Sequence, residues 1–327
     1  MRIVEAKEAR ERLTPEVCIG LMREALIALE SGRADQPLRS IVRLPDGESF
    51  GFMPAYLGPD DCFGAKVITA FHKNLGTAYP SHMGYVMLFE SQHGSFVGMA
   101  DGSVITEVRT GAVSAVATDL LARKDARKLA IIGCGAQGRG HLAAIRCVRT
   151  IESVTAFDLN PAAAQRYAAE MSELYGIPVT SVESAEACVR DADIVCTLTP
   201  SKAPFLEKSW IRPGTHINAV GTFSPTTREV TSALMAASRL YSDYTPAMVK
   251  ECGEYLIPLQ EGLIGPDHVV GSVGVVLLGT APGRSSDEEI TLFDALGRAV
   301  EDVICAEAVF RKALADGAGK VLDLQDL

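Results

Sequence analysis

Lys128-Leu129-Ala130-Ile131-Ile132-Gly133-Cys134-Gly135-Ala136-Gln137-Gly138 is the stretch on which the fold turns. A short apolar strand runs into a glycine-rich turn, and a helical pattern through Leu142, Ile145 and Val148 follows directly. GxGxxG alone is a weak signal, but between a strand and a helix it acquires a mechanism. Gly133 permits a tight turn, Gly135 lets backbone approach a pyrophosphate, and Gly138 allows the helix to pack closely on the strand. Ala136 and Gln137 open the helix, so its positive N-terminus faces the phosphates. The next strand, Ser153–Phe157, leads into Asp158, twenty residues beyond Gly138. A carboxylate there accepts from a ribose 2′-hydroxyl and repels a 2′-phosphate. The expected cofactor is therefore NAD(H), with NADP(H) as the alternative. Arg166 sits too far along the following helix to clamp a phosphate.

Outward from this turn, strands and helices alternate. After the helix Pro161–Tyr175 come strand-like runs at 179–182, 193–199, 215–220 and 239–243. Such alternation predicts a parallel sheet with helices on both faces. Upstream the texture differs. Residues 40–44, 65–69 and 85–90 read as short strands separated by Gly, Pro and Asp-Asp turns, which predicts a mostly antiparallel sheet. An earlier helix starts at an N-cap, Thr14, with Pro15 and Glu16 in its first turn. Its expected apolar stripe is Val17, Leu21, Ala25 and Leu29, and Gly32 is its stop. A helix over 106–123 links the two regions, and a last helix covers about 298–314.

At roughly 150 residues per domain, the 327 residues suggest two domains. The fold class is α/β, a dinucleotide-binding domain joined to an α+β domain. The expected division is 1–123 with 301–327 for the α+β domain, and 124–300 for the dinucleotide-binding domain. A composition of 47% hydrophobic and 22% charged residues excludes wholesale disorder. A net charge of −10, without any block of consecutive Lys or Arg, argues against nucleic acid or an anionic membrane as partner. The uncharged stretch 269–283 contains four Gly and a Pro and is shorter than the ~20 residues of a membrane span. The eight cysteines form no CxxC pair and have no histidine at zinc-finger spacing. No metal site is expected. The N-terminal residues carry charges instead of an apolar signal core, so the expected setting is the cytoplasm, with reduced thiols.

Further blocks carry a resemblance. They are Gly64-Ala65-Lys66-Val67-Ile68-Thr69, Tyr79-Pro80-Ser81-His82, Met99-Ala100-Asp101-Gly102-Ser103-Val104-Ile105-Thr106 and Arg109-Thr110-Gly111-Ala112-Val113-Ser114-Ala115. His216-Ile217-Asn218-Ala219-Val220-Gly221 and Leu296-Gly297-Arg298-Ala299-Val300-Glu301-Asp302 extend it over nearly the whole chain. Together they resemble the ornithine cyclodeaminase/mu-crystallin family. The resemblance implies a homodimer, in which the α+β domain binds substrate and dimerises and a Rossmann domain binds the nicotinamide cofactor. It also implies that three cations hold the carboxylate of an amino or imino acid, here Arg39, Lys66 and Arg109. The residue chemistry agrees, since guanidinium groups grip a carboxylate bidentately and lysine adds a point charge. Taken singly, Arg39, flanked by a Pro turn, has a solvated surface charge as its lesser alternative. Lys66, within an apolar strand, demands a ligand or a partner carboxylate. Arg109 could pair with Asp101 or Glu107. By the same resemblance Ser81, His82 and Thr110 face the nicotinamide region, Thr197 and Leu198 line the adenosine side, and Val220 and Thr222 flank the nicotinamide ring.

One departure bears on the reaction. The resemblance places a general-base Asp after the Asn-Ala-x-Gly segment of ornithine cyclodeaminases, and here Phe223 stands there, with no carboxylate before Glu229. Phenylalanine takes no proton. The stretch instead resembles mu-crystallin and the ketimine or pyrroline-2-carboxylate reductases. The expected activity is NAD(P)H-dependent reduction of a small, cyclic α-imino acid, such as Δ1-pyrroline-2-carboxylate or Δ1-piperideine-2-carboxylate. Alternatives are an alanine-dehydrogenase-like enzyme, a redox-neutral ornithine cyclodeaminase and a non-catalytic crystallin-like cofactor binder.

Overall fold

Residues 1–58, 61–74 and 77–322 are described by the structure, a computed structural model. Its strands are β1 (Arg2–Val4), β2 (Ser40–Arg43), β3 (Ser49–Tyr56), β4 (Phe63–Ala70), β5 (His82–Phe89), β6 (Phe96–Asp101), β7 (Lys128–Ile132), β8 (Ser153–Phe157), β9 (Val179–Ser181), β10 (Ile194–Thr197), β11 (His216–Ala219), β12 (Ser238–Ser242), β13 (Val269–Ser272), β14 (Ile290–Asp294) and β15 (Lys320–Val321). The helices are α1 (Ala6–Arg12), α2 (Pro15–Glu30), α3 (Gly102–Leu121), α4 (Ala136–Ile145), α5 (Pro161–Tyr175), α6 (Ala185–Val189), α7 (Ser232–Ala236), α8 (Thr245–Glu251), α9 (Gly253–Gln260), α10 (Val273–Leu277) and α11 (Ala299–Ala315). Two units result, Met1–Arg109 with Arg298–Leu327, and Thr110–Gly297. The first division lies at 109/110, within α3, where the sequence reading placed it at 123/124. A continuous helix leaves no loop or composition change to mark such a boundary.

In the first unit the sheet order is β15-β1-β6-β5-β4-β3-β2. Neighbours are antiparallel except β1 and β6, which run parallel. Side chains alternate faces along each strand, so the cross-strand row Met53, Lys66, Val86 and Ala100 shares one face. All four are buried, and α11 packs over this sheet and against α2. The approach is close. A Cβ on Gly98 would lie 2.5 Å from the Phe310 ring and 2.2 Å from the Arg2 carbonyl oxygen. Thr14 caps α2 by accepting from the Val17 N–H. The buried face of α2 is Cys18, Met22, Ala25, Leu26 and Leu29, while Val17 is exposed. The expected stripe at strict four-residue steps is thus corrected, because each step overshoots the 3.6-residue turn by about 40° and winds off the face. Leu26, fully buried, contributes on the order of 1.5–3 kcal/mol by leaving water.

The second unit holds eight strands in the order β13-β12-β14-β11-β10-β7-β8-β9, all parallel. Read from β9, the first five strands follow the 3-2-1-4-5 order of a dinucleotide-binding sheet, with the switch point between β7 and β10. One apolar cluster contains Ile132, Val195, Ile217 and Leu292, and another contains Ile131, Leu142, Val154 and Tyr167. The sheet interior also carries a polar chain. His216 Nδ1 lies 3.0 Å from Thr291 Oγ1, and its Nε2 lies 3.2 Å from Asn218 Oδ1. Asn218 Nδ2 donates to Thr118 Oγ1 at 3.1 Å. Burial, reinforced by Arg284, pushes the His216 imidazole down to about 3, so a neutral ring joins β11 to β14. These two residues of the His216–Asn218 motif are therefore structural.

Candidate functional site

Lys66 sits in the middle of β4 with apolar neighbours on both flanking strands, and its side chain is only 3% exposed. Burial of an ammonium is costly without a partner. That partner is Asp302, in the first turn of α11, whose Oδ2 lies 2.7 Å from Lys66 Nζ. Asp302 serves a second cation as well. Arg109 donates from Nε to Asp302 Oδ1 at 3.1 Å and from Nη1 to Glu301 Oε2 at 3.0 Å. Desolvation, then the charge of Asp302 opposed by that of Arg109, leaves Lys66 lowered to about 8. Arg109 is also desolvated, but Asp302 and Glu301 outweigh that and raise it. The alternative partners weighed for Arg109 are engaged elsewhere. Glu107 binds Arg10, and Asp101 accepts from the Val104 N–H at the start of α3.

Two features hold this cluster in place. Gln36 Oε1 accepts from the Val300 N–H at 3.0 Å, which ties the segment bearing Arg39 to the N-terminus of α11. Glu301 reaches back to accept from the Arg298 N–H, and acids in a first helical turn complement the dipole. Arg39 is partly buried, and its positive charge also opposes that of Lys66. Ser81 and His82 lie at the start of β5, with Ser81 Oγ 3.1 Å from His82 Nδ1. The Ser103 hydroxyl donates to the His82 carbonyl.

In the second unit the glycine turn has the shape its sequence requires. Gly133 has φ +101°, and a Cβ there would meet the Leu198 carbonyl oxygen at 2.8 Å. The turn after β7 and the chain end of β10 are therefore in direct contact, on either side of the switch point. Gly135 is the N-cap residue of α4, with nothing within 4 Å of an added Cβ. That open backbone is where a pyrophosphate can approach. Ala136 is exposed and Gln137 partly so, while Gly138 is buried against Ile131 and Tyr167. Asp158 Oδ2 accepts from the Cys134 N–H and Oδ1 from the Asn160 N–H, both at 2.9 Å. The carboxylate thus fastens the glycine turn to the end of β8, and its remaining lone pairs are available to a ribose hydroxyl. These residues fit a dinucleotide. Arg139, which the sequence reading did not single out, donates to the Cys134 and Gly135 carbonyls and pairs with Glu170.

Thr110 lies in α3 and is buried. Thr197, expected to line the adenosine side, is fully buried at the end of β10. Leu198 and Val220 are partly buried, Thr222 is buried, and Phe223 is 47% exposed. Glu229, the first carboxylate after Phe223, is completely buried. Both its oxygens accept from protein donors, Thr199 N–H and hydroxyl on one side and Gly221 N–H on the other. A carboxylate so occupied does not replace the missing base. All eight thiols are free and only Cys147 is exposed. Burial raises Cys134, Cys188 and Cys196 to about 12, which leaves them unreactive. No described helix is long and apolar enough to cross a membrane.

The sequence profile of the ornithine cyclodeaminase/mu-crystallin family matches residues 2–317. The chain is similar to a Delta(1)-pyrroline-2-carboxylate reductase of Bacillus cereus, with 33% identity over 99% of this chain and 100% of that protein. It is 34% identical to the ketimine reductase mu-crystallin of Mus musculus over 94% of this chain and 96% of the relative. Among solved structures, Delta(1)-pyrroline-2-carboxylate reductase of Thermococcus litoralis, in complex with NADH and L-proline, superposes with a TM-score of 0.96. It shows 34% identity, over 98% of this chain and 100% of that one. On its cation cluster, its dinucleotide cradle and these matches, the chain belongs to the ornithine cyclodeaminase/mu-crystallin family.

Proposed function

We propose that this protein is an NAD(H)-dependent reductase of small cyclic α-imino acids, of which Δ1-pyrroline-2-carboxylate and Δ1-piperideine-2-carboxylate are the leading examples, yielding L-amino acids. The carrying observation is a shared carboxylate. Asp302 pairs with Lys66 while also serving Arg109, and Arg39 adds a third positive charge that bears on Lys66. Buried carboxylates shared between cations, Asp302 by Lys66 and Arg109 and Glu301 by Arg109, leave guanidinium and ammonium groups gathered where an incoming monocarboxylate favours their charged forms. Arg109 offers it planar donors and Lys66 a point charge. NAD(H), when bound at the glycine turn, supplies the hydride. Held by its carboxylate, the substrate presents C2 in a fixed orientation, and such orientation contributes up to about 7–11 kcal/mol to lowering a barrier. A cyclic ketimine nitrogen protonates readily, so the reaction proceeds without the base whose position Phe223 occupies.

The first unit also supports a homodimer. Its sheet face opposite α11 carries Val42, Phe50, Phe52, Met83 and Tyr85, all at least 37% exposed in the single chain. An apolar sheet face of this kind marks an association surface, and a second copy of the same face matches it through two-fold symmetry. The free thiols agree with a cytoplasmic protein. Phe52→Asp should convert a species of twice 34.8 kDa into monomer in sedimentation equilibrium. A wild-type monomer would refute the dimer. Activity is tested by mixing purified protein, Δ1-pyrroline-2-carboxylate and NADH. Consumption of NADH with formation of proline is the expected result. Ammonia release from ornithine, with no NADH consumed by any cyclic imine, would overturn the reading.

A further inference from the structure

Glu229 lies where the chain leaves two neighbouring parallel strands. Thr199 follows Thr197 and Leu198 at the end of β10, and Gly221 stands between Val220 and Thr222 after β11. Ligands of open parallel sheets bind outside these carboxyl ends. One oxygen of Glu229 accepts from the Thr199 N–H at 2.8 Å and the Thr199 hydroxyl at 2.7 Å, and the other accepts from the Gly221 N–H at 2.9 Å. The two loops touch. A Cβ on Gly221 would lie 2.2 Å from the Thr199 carbonyl oxygen and 2.7 Å from Glu229 Oε1. Glu229 is itself fixed from behind. Its carbonyl accepts from the N–H groups of Phe205 and Leu206 at 2.8 and 2.9 Å, and its own N–H donates to the buried carboxyl of Glu254.

We propose that Glu229 is a positioning residue for the cofactor, a buried carboxylate that sets the spacing of the β10 and β11 loops by accepting from both. The proposal rests on the reading that these loops hold NAD(H). A carboxylate suits the place because three donors converge on two oxygens. Glutamine would present an NH2 to a donor and must forfeit the bond on one side. Burial costs a carboxylate dearly without such bonds, so its presence here requires a geometric return. Glu229 is closed off from solvent and acts through the loop donors it holds, chiefly Thr199 and Gly221.

The test is NADH binding, measured by fluorescence titration without substrate, on wild type, Glu229→Gln and Glu229→Asp, together with separate KM values for NADH and imino acid. Glu229→Gln should raise the Kd and the KM for NADH at least fivefold and leave the imino-acid KM within about twofold. Glu229→Asp, which keeps the carboxylate, should fall between. Should Glu229→Gln fail to fold, Thr199→Val, which deletes one of the three bonds, should still weaken NADH binding at least twofold. A folded Glu229→Gln with lowered thermal stability but a wild-type Kd for NADH would overturn the proposal alone, as would an unchanged Kd in Thr199→Val. Wild type that binds no NADH would overturn the cofactor reading as well.

Discussion

Two clusters of buried charge, one in each unit, are satisfied in opposite ways. In the first, Lys66 and Arg109 meet Asp302 and Glu301, side chain to side chain. In the second, Glu229 and Glu254 are satisfied largely by backbone N–H groups, and burial pushes both carboxyls above the usual range. Backbone donors cannot turn away, so they lock loops in register. Side-chain ion pairs can share a partner, so they can admit a carboxylate of similar shape. The difference matches the two tasks proposed for them, holding a rigid cofactor cradle and exchanging a small anionic substrate.

The comparison breaks most severely at Arg109. Arg109→Ala leaves Asp302 and Glu301 buried with one cation fewer, and removing one partner of a buried pair costs about 3–5 kcal/mol. Steady-state kinetics should show kcat/KM for the imino acid reduced by about 10²–10³-fold, while NADH binding changes by no more than a few-fold. Equal losses for both ligands would mean a purely structural role. Arg39→Ala should raise the imino-acid KM about tenfold, one charge-assisted hydrogen bond being worth roughly 1.5 kcal/mol or more.

The pH dependence sharpens the comparison. A carboxylate ligand favours the ammonium form of Lys66, which is lowered to about 8. The Kd of pyrrole-2-carboxylate, which lacks a basic nitrogen, should therefore be flat below about pH 8 and rise above it as Lys66 loses its proton. Asp302 raises the Lys66 value, so Asp302→Asn should shift the rise to lower pH. A Kd flat to pH 10 would remove Lys66 from the clamp. The smallest expected effect is at Asp158. Asp158→Ser should lower the preference for NADH over NADPH by about three- to tenfold, because serine neither repels a 2′-phosphate nor fully replaces the bonds to Cys134 and Asn160. An unchanged preference would detach Asp158 from cofactor choice.

Much of the second unit was legible because its signals are local. The glycine turn, Asp158 and the strands up to β12 lie within short windows whose order maps onto the sheet. β14 escaped, since its apolar run follows Asp287-Glu288-Glu289 and it inserts between β11 and β12 against chain order. In the first unit Lys66 signalled its need for a partner by standing in an apolar strand. The partner was not readable, as Asp302 lies across the sequence in a motif whose acids read equally as helix-dipole complements. Thr197 was placed by family position, which says nothing of which way a strand residue points. Glu229 stood in view as the first carboxylate after Phe223, but its donors, Thr199 and Gly221, are fixed only by tertiary contact.

The most direct test uses NADH carrying deuterium at both nicotinamide C4 positions with Δ1-pyrroline-2-carboxylate, the product being read by NMR and mass spectrometry. The expected product is L-proline carrying one deuterium at Cα, formed in step with NADH oxidation. Proline without label, or no proline alongside ammonia released from ornithine, would contradict the proposed reduction.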